Sequence, residues 1–197
     1  MPSDQVNRVL ANRPETLIIA TQAEADLVEA AHSDPAAFGE LYRRYVVRIY
    51  RYLYSHVGAA DTAEDLTAQV FCAAWDGIAD YKEQGNFAAW LFCIARNKTS
   101  DYFRRHRPSL PLDEATLLLP EEFDPQARLE QEEDLHRLAS LVAHLAPDQL
   151  ELLRLRFAAD LSFAQMATLL SRSEAAVKMS FYRLLEHLKS DWEKGDE

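Results

Sequence analysis

Apolar positions recur at helical spacing along nearly the whole chain. Ala23 to Ala31 is a short amphipathic segment stopped at Ser33-Asp34-Pro35. Over roughly 35–57, Phe38, Leu41, Tyr42, Tyr45, Ile49, Tyr52 and Leu53 fall at i, i+3, i+4 and i+7 spacing, which predicts a long helix closed by Gly58. Asp61 or Thr62 is placed to cap the next helix, with Glu64 or Asp65 in its first turn and Leu66, Val70, Phe71, Ala74 and Trp75 as its apolar stripe. After a loop at 76–85, Asn86 heads a helix running to about Arg107. The second half predicts helices over roughly 128–145, 147–158, 162–170 and 173–191, with Pro147 in a first turn, where proline is tolerated. No run alternates with period two, and no repeat of 20–50 residues is present. The pattern predicts an all-α protein of two small helical domains.

Composition agrees with that class. Five glycines and eight prolines in 197 residues argue against a many-turned β architecture. The formal charge of −11 would ordinarily count against nucleic-acid binding. Its distribution removes that objection. Residues 108–134 carry one basic and nine acidic side chains, whereas residues 24–107 are net −2 and residues 135–197 net −1. The acidic stretch also holds Pro108, Pro111, Pro120 and Pro125, so it reads as a linker between two nearly neutral domains. Cys72 and Cys93 stand among apolar neighbours and are expected as buried, reduced thiols, which suits a cytoplasmic protein. No apolar stretch approaches the ~20 residues of a membrane span, so no membrane insertion is expected. Leu17-Ile18-Ile19-Ala20 lacks a basic lead-in and a long apolar core, so residues 1–22 are expected to be an N-terminal extension and not a signal peptide.

Two segments carry nucleic-acid chemistry. On helix 86–107, Phe87, Trp90, Leu91 and Ile94 share one sector, while Arg96, Ser100, Phe103, Arg104 and Arg107 lie opposite. Arginine offers planar, multi-donor contacts to phosphate, and an exposed aromatic can stack on an unpaired base. Near the C-terminus, a short helix from Ser162, a turn at Ser171-Arg172-Ser173 and a second helix capped by Ser173 form a helix-turn-helix pattern. Val177, Phe181, Leu184 and Leu188 make its buried stripe; Ala175, Lys178, Met179, Tyr182, Arg183 and Glu186 face outward.

Taken together, these segments resemble the bacterial sigma factors of the sigma-70 superfamily, in the small two-domain extracytoplasmic function group. The resemblance rests on Asp26-Leu27-Val28 through Phe38-Gly39-Glu40-Leu41-Tyr42-Arg43-Arg44-Tyr45, on Ala63-Glu64-Asp65-Leu66-Thr67 with Val70-Phe71 and Ala74-Trp75, on Phe87 through Asn97 followed by Asp101-Tyr102, and on Leu145-Ala146-Pro147 through Leu188. It implies sigma region 2 at residues 23–107 and sigma region 4 at residues 135–193. The implied role is to bind core RNA polymerase and direct promoter-specific initiation, without enzymatic activity, catalytic residues, metal or cofactor of its own. Asp65, Gln69, Phe71 and Trp75 become candidates for the β′ clamp helices, and region 4 is expected against the β flap. Lys82, Asn86, Arg96, Asn97, Ser100, Arg104 and Arg107 become candidates for the −10 element, one of whose bases is turned out of the stack at a cost of a few kcal/mol. Arg172, Ser173, Ala175, Lys178, Met179, Tyr182 and Arg183 become candidates for the −35 major groove. The acidic linker would thread the polymerase's nucleic-acid channel as a mimic of nucleic acid. An anti-sigma factor is a partner that the resemblance leaves open.

This chain departs from the family pattern at informative places. Ala68-Gln69 replaces the usual Gln-Glu pair, the turn at 171–173 lacks the common glycine, and Ser180, Leu185, Glu186 and His187 occupy positions that are often basic. Two other readings compete. A helix-turn-helix regulator acting without polymerase would leave the stretches 64–75 and 87–97 as core alone. A di-metal bundle enzyme would use Glu29-x-x-His32 and Glu133-x-x-His136, but six histidines and 17 glutamates make two chance matches of that spacing unremarkable. Because each missing phosphate contact lowers affinity and its salt dependence, residues 135–197 alone should bind promoter duplex weakly at physiological salt. A nitrocellulose-filter or fluorescence titration showing tight binding would refute this.

Overall fold

The computed structural model describes residues 24–82, 86–106 and 125–194, with side chains in the last stretch from 134 onward. Among these residues there is no strand. The N-terminal domain comprises α1 (24–31), α2 (Pro35–Val57), α3 (Ala60–Gly77) with a 3-10 turn at Ile78–Asp80, and α4 (Phe87–Arg105). The C-terminal domain comprises α5 (Pro125–Ala143), α6 (Pro147–Leu153) running into a π turn at Arg154–Ala158, α7 (Phe163–Leu170) and α8 (Glu174–Lys194).

α2 begins where Asp34 accepts the Ala36 amide at 2.8 Å, with Pro35 in the first turn. It ends at Gly58, whose φ of 68° is the left-handed conformation that glycine adopts without a Cβ clash. Its fully buried stripe of Leu41, Ile49, Tyr52 and Leu53 packs with Phe87, Leu91 and Phe92 of α4. Rings of Tyr45 and Phe87, and of Tyr52 and Phe92, meet edge to face at 5.5 Å. Burying a side chain of this size contributes about 1.5–3 kcal/mol. The Tyr45 hydroxyl donates to Glu24 Oε2 at 2.5 Å and ties α1 to this core.

In the C-terminal domain, Leu155, Leu161, Met166, Val177, Phe181 and Leu184 form the interior. Ser162 and Gln165 make a reciprocal capping box at the start of α7. α7 ends in a Schellman arrangement: Ser171 takes φ 53°, and the Arg172 amide donates back to the Ala167 carbonyl at 2.9 Å. Ser173 then accepts the Ala176 amide at the head of α8.

The two domains are packed together, and polar groups cross between them. The Arg48 guanidinium of α2 donates to the carbonyls of Ala159 (2.9 Å) and Asp160 (2.8 Å), which close the π turn. In the opposite direction, Arg154 donates to the Ser55 carbonyl in the last turn of α2 at 3.0 Å. Each arginine thus satisfies terminal carbonyls of the other domain's helix, at the end where a cation is favoured. Between them the Tyr52 hydroxyl donates to Glu151 Oε1 (2.8 Å), and His56 Nε2 lies 3.2 Å from Glu151 Oε2. The Asn86 amide donates to Thr168 Oγ1 of α7 at 2.8 Å.

Several local expectations need correction. Neither Asp61 nor Thr62 caps α3: the helix already starts at Ala60 because the left-handed Gly58 delivers the chain directly into an extended Ala59. Asp61 is therefore a first-turn residue. Asn86 occupies the N-cap position of α4, but its side chain makes no cap bond. Cys72 and Cys93 are exposed, not buried. Each follows a buried phenylalanine, Phe71 or Phe92, and one further step of 100° carries it out of the core. α5 starts at Pro125, so residues 125–134 of the expected linker are helical. Residues 1–23, 83–85, 107–124 and 195–197, including Arg107, lie outside the described residues.

The two left-handed helix ends should respond with opposite signs. Gly58→Ala places a Cβ at φ 68° and should cost about 1 kcal/mol, whereas Ser171→Gly relieves the same strain and should gain up to about 1 kcal/mol, both by chemical denaturation. Acid should also weaken the folded state. Burial pushes the His56 imidazole below its usual 6.5, although Glu151 pulls the other way. Burial also raises Glu151, but His56, Tyr52 and Arg154 outweigh it and hold the carboxyl below its usual 4.5. The unfolded chain therefore binds more protons as the pH falls through 6.5, and again below 4.5, so stability is lost in both windows. Calorimetry should show the midpoint falling between pH 7 and 5.5, with a flatter profile in His56→Gln; an unchanged profile would place the titration elsewhere.

Candidate functional site

Three surfaces carry the residues singled out from the sequence. The first is a shallow groove of about 600 Å³ between α2 and α3, lined by Phe38, Tyr42, Ala68, Phe71, Cys72, Trp75 and Asp76. Trp75 meets Phe38 edge to face at 5.0 Å, and Tyr42 meets Phe71 at 4.7 Å. Trp75 and Tyr42 are each 44% exposed, while Phe71 is only 6% exposed and forms the floor. Asp65 and Gln69 are exposed along the same side of α3. Two half-exposed aromatics beside an apolar floor, with acidic and amide groups at the rim, suit a helical partner with apolar and basic residues. Phe38, Tyr42 and Cys72 were not among the expected contacts; Phe38 and Tyr42 follow the core stripe closely enough that periodicity alone assigns them inside.

The second surface is the outer side of α4. Arg96, Asn97, Ser100 and Arg104 are exposed, as is Lys82 before the helix. The Ser100 hydroxyl donates back to the Arg96 carbonyl, and Arg104 pairs with Asp101 at 2.8 Å. Tyr102 stacks on His106 with ring centroids 4.4 Å apart and meets Phe103 at 5.3 Å, giving the basic end of α4 an aromatic patch. Asn86 is separated from this set, because its amide is held by Thr168 of the other domain.

The third surface is the outer side of α8. Arg172, Ser173, Ala175, Lys178, Met179, Tyr182 and Arg183 are all exposed. Two of its cations have partners within the chain: Lys178 pairs with Glu174 at 2.6 Å, and Arg172 donates to Ser180 Oγ at 2.7 Å. Arg172, Arg183 and His187 line a cleft together with Asp148. For metal, His32 Nδ1 lies 4.0 Å from Glu29 Oε2, and among the described residues no three His, Cys, Asp or Glu side chains are placed to hold an ion. Among the described residues no helix is long and apolar enough to cross a membrane.

The cross-domain residues Arg48, His56, Glu151 and Arg154 were missed entirely. Their partners are about a hundred positions away in sequence, and no local pattern marks such a pairing. In the sequence Arg48 is one of four arginines, with Arg43, Arg44 and Arg51, and nothing local sets it apart.

Comparison with known proteins matches residues 41–108 to Sigma-70 region 2 and residues 135–188 to Sigma-70 region 4. The ECF RNA polymerase sigma factor BldN of Streptomyces coelicolor is 38% identical over 167 residues, covering 83% of this chain; the chain spans 63% of BldN's length. ShbA of Streptomyces griseus, another ECF RNA polymerase sigma factor, is 32% identical over 133 residues, 64% of this chain and 70% of ShbA. The structure of CnrH in complex with the cytosolic domain of CnrY superposes with a TM-score of 0.62 at 27% identity, covering 87% of this chain and 98% of that one. CnrH is an RNA polymerase sigma factor of Cupriavidus metallidurans. The present chain belongs to the sigma-70 family, in its ECF group.

Proposed function

We propose that this chain binds core RNA polymerase in the cytoplasm and directs promoter-specific initiation, performing no chemistry itself. The observation that carries the reading is the α2–α3 groove. An exposed tryptophan and tyrosine over an apolar floor have no use in a DNA-binding module acting alone, but they form a docking surface for the β′ clamp helices. Asp65 and Gln69 supply its polar rim, and Ala68 leaves its floor open. Residues 23–107 act as region 2 and residues 135–193 as region 4.

In this reading, Lys82 and, once its amide leaves Thr168, Asn86 line the pocket for the base turned out of the −10 element. Arg96, Asn97, Ser100 and Arg104 hold the adjoining strand, with the Tyr102–Phe103–His106 patch available for stacking. Residues 172–183, the turn and the first half of α8, enter the −35 major groove, where Lys178 and Arg172 must exchange an internal partner for phosphate or base. Exposed Phe157, at 66%, gives region 4 an apolar point for the β flap. An anti-sigma factor is a further partner in this reading, as the anti-sigma factor NepR is for the sigma factor RpoE of Bartonella quintana.

Reconstitution with core RNA polymerase, followed by sequencing of the transcripts, tests the reading: initiation should occur at defined promoters. Failure on every genomic template with folded protein would sink it. Trp75→Ala should weaken polymerase binding at least ~30-fold, as loss of an interface hot spot of about 2 kcal/mol does, while helicity is retained because the ring is half in solvent.

A further inference from the structure

Exposed apolar side chains gather on the outer face of α8. Met179 is 53% exposed and Tyr182 43%, and Ala175 is exposed one turn before Met179. We infer that Ala175, Met179 and Tyr182 read the methyl groups of adjacent thymines in the −35 major groove, so that this chain selects a thymine-bearing −35 element. The inference deepens the sigma reading and rests on it for the presence of a −35 duplex.

The three side chains form a line. At i, i+4 and i+7 they fall within about 60° of one another around the helix. Lys178 and Arg183, both exposed, flank this line at roughly 70° to either side, given 3.6 residues per turn. An apolar strip between two cations matches the cross-section of a major groove, whose floor of base edges lies between two phosphate backbones. The strip is about 10 Å long at 1.5 Å per residue, which covers about three base pairs at 3.4 Å each. Glu186 is the next exposed residue in the same sector, and its carboxylate is repelled by phosphate, so the helix leaves the groove there.

Tyr182 is braced from behind. Its ring centroid lies 6.0 Å from that of Phe163 and 6.2 Å from that of Phe181, the latter only 4% exposed and part of the core. Two nearby cations are less available to bases. Lys178 lies 2.6 Å from Glu174 and 5.8 Å from the Phe163 ring, and Arg172 donates to Ser180 Oγ at 2.7 Å. Each must release its partner before it can bond a base edge. The apolar line has nothing to release.

Base chemistry then decides what that line can read. On the floor of the major groove the thymine C5-methyl is the apolar group, and the remaining groups are hydrogen-bond donors and acceptors. A methionine or tyrosine ring pressed against those removes their water and returns no bond. Against a thymine methyl, the same side chains bury apolar surface on both partners. Cytosine at such a position is penalised, because its amino group is left unpaired against an apolar side chain.

Holoenzyme assembled from the full chain and core polymerase tests this on templates randomised across the −35 region. Sequencing the templates that initiate should return at least two adjacent thymines on one strand. Uracil in place of those thymines removes the methyl alone and should lower initiation about fourfold for each one. Met179→Ala should shrink the thymine-to-uracil ratio at one base pair to below about twofold, whereas Met179→Leu, which keeps an apolar side chain, should retain it. Both variants change a side chain that stands half in solvent, so helicity should be unaltered. Equal initiation from thymine and uracil templates, or a selected element without adjacent thymines, would overturn the inference while promoter-specific initiation stands. A Met179→Ala chain that keeps the full ratio but binds core polymerase more weakly would also overturn it, and would mark the strip as a protein contact. No enrichment of any template would overturn the sigma reading, and this inference with it.

Discussion

Two arginines cross between the domains in opposite senses, each ending on backbone carbonyls that the other domain's helix cannot satisfy by itself. This reciprocal capping fixes how the molecule is arranged. A helix end buried against apolar surface would leave orphan acceptors at a cost of about 1–3 kcal/mol each. Here the ends of α2 and of the π turn meet a guanidinium supplied from outside. The two small bundles are therefore complementary at the points where each is chemically incomplete. Tyr52, Glu151 and His56 fill the gap between the crossings with a carboxylate that has both neutral and ionisable neighbours.

α2 serves two surfaces at once. Phe38 and Tyr42, near its start, turn toward α3 and build the α2–α3 groove, whereas Arg48, Tyr52, Ser55 and His56, in its second half, turn toward the C-terminal domain. Because a helix is stiff over this length, the groove and the interdomain contact share one rigid element.

Much of this was readable from the chain. The helices follow from period 3.6, and the cap residues Ser162 and Ser173 are where side-chain chemistry wants them. The outward residues of α4 and α8 are exposed as the helical phase predicts. Legibility failed where one residue step decides between core and water. Cys72 and Cys93 follow buried phenylalanines and were assigned inside, while Trp75 ended a core stripe and stands half in solvent. It failed completely for Arg48 and Glu151, because their roles depend on groups some hundred residues distant. Ser171 lies between these cases: the missing glycine was visible, but the left-handed φ that makes it costly belongs to the fold.

The exposed thiols have one more consequence. Cys72 sits on the wall of the α2–α3 groove, and Cys93 on a different helix, away from it. The chain thus carries a native chemical reporter beside its own control. An alkylating reagent competes with whatever fills the groove for access to Cys72, while Cys93, whose thiol faces the Asn97 amide at 4.0 Å on the outer side of α4, registers reactivity outside the groove. Occupancy of that surface can be followed as a ratio of two modification rates, with no label introduced and no residue changed.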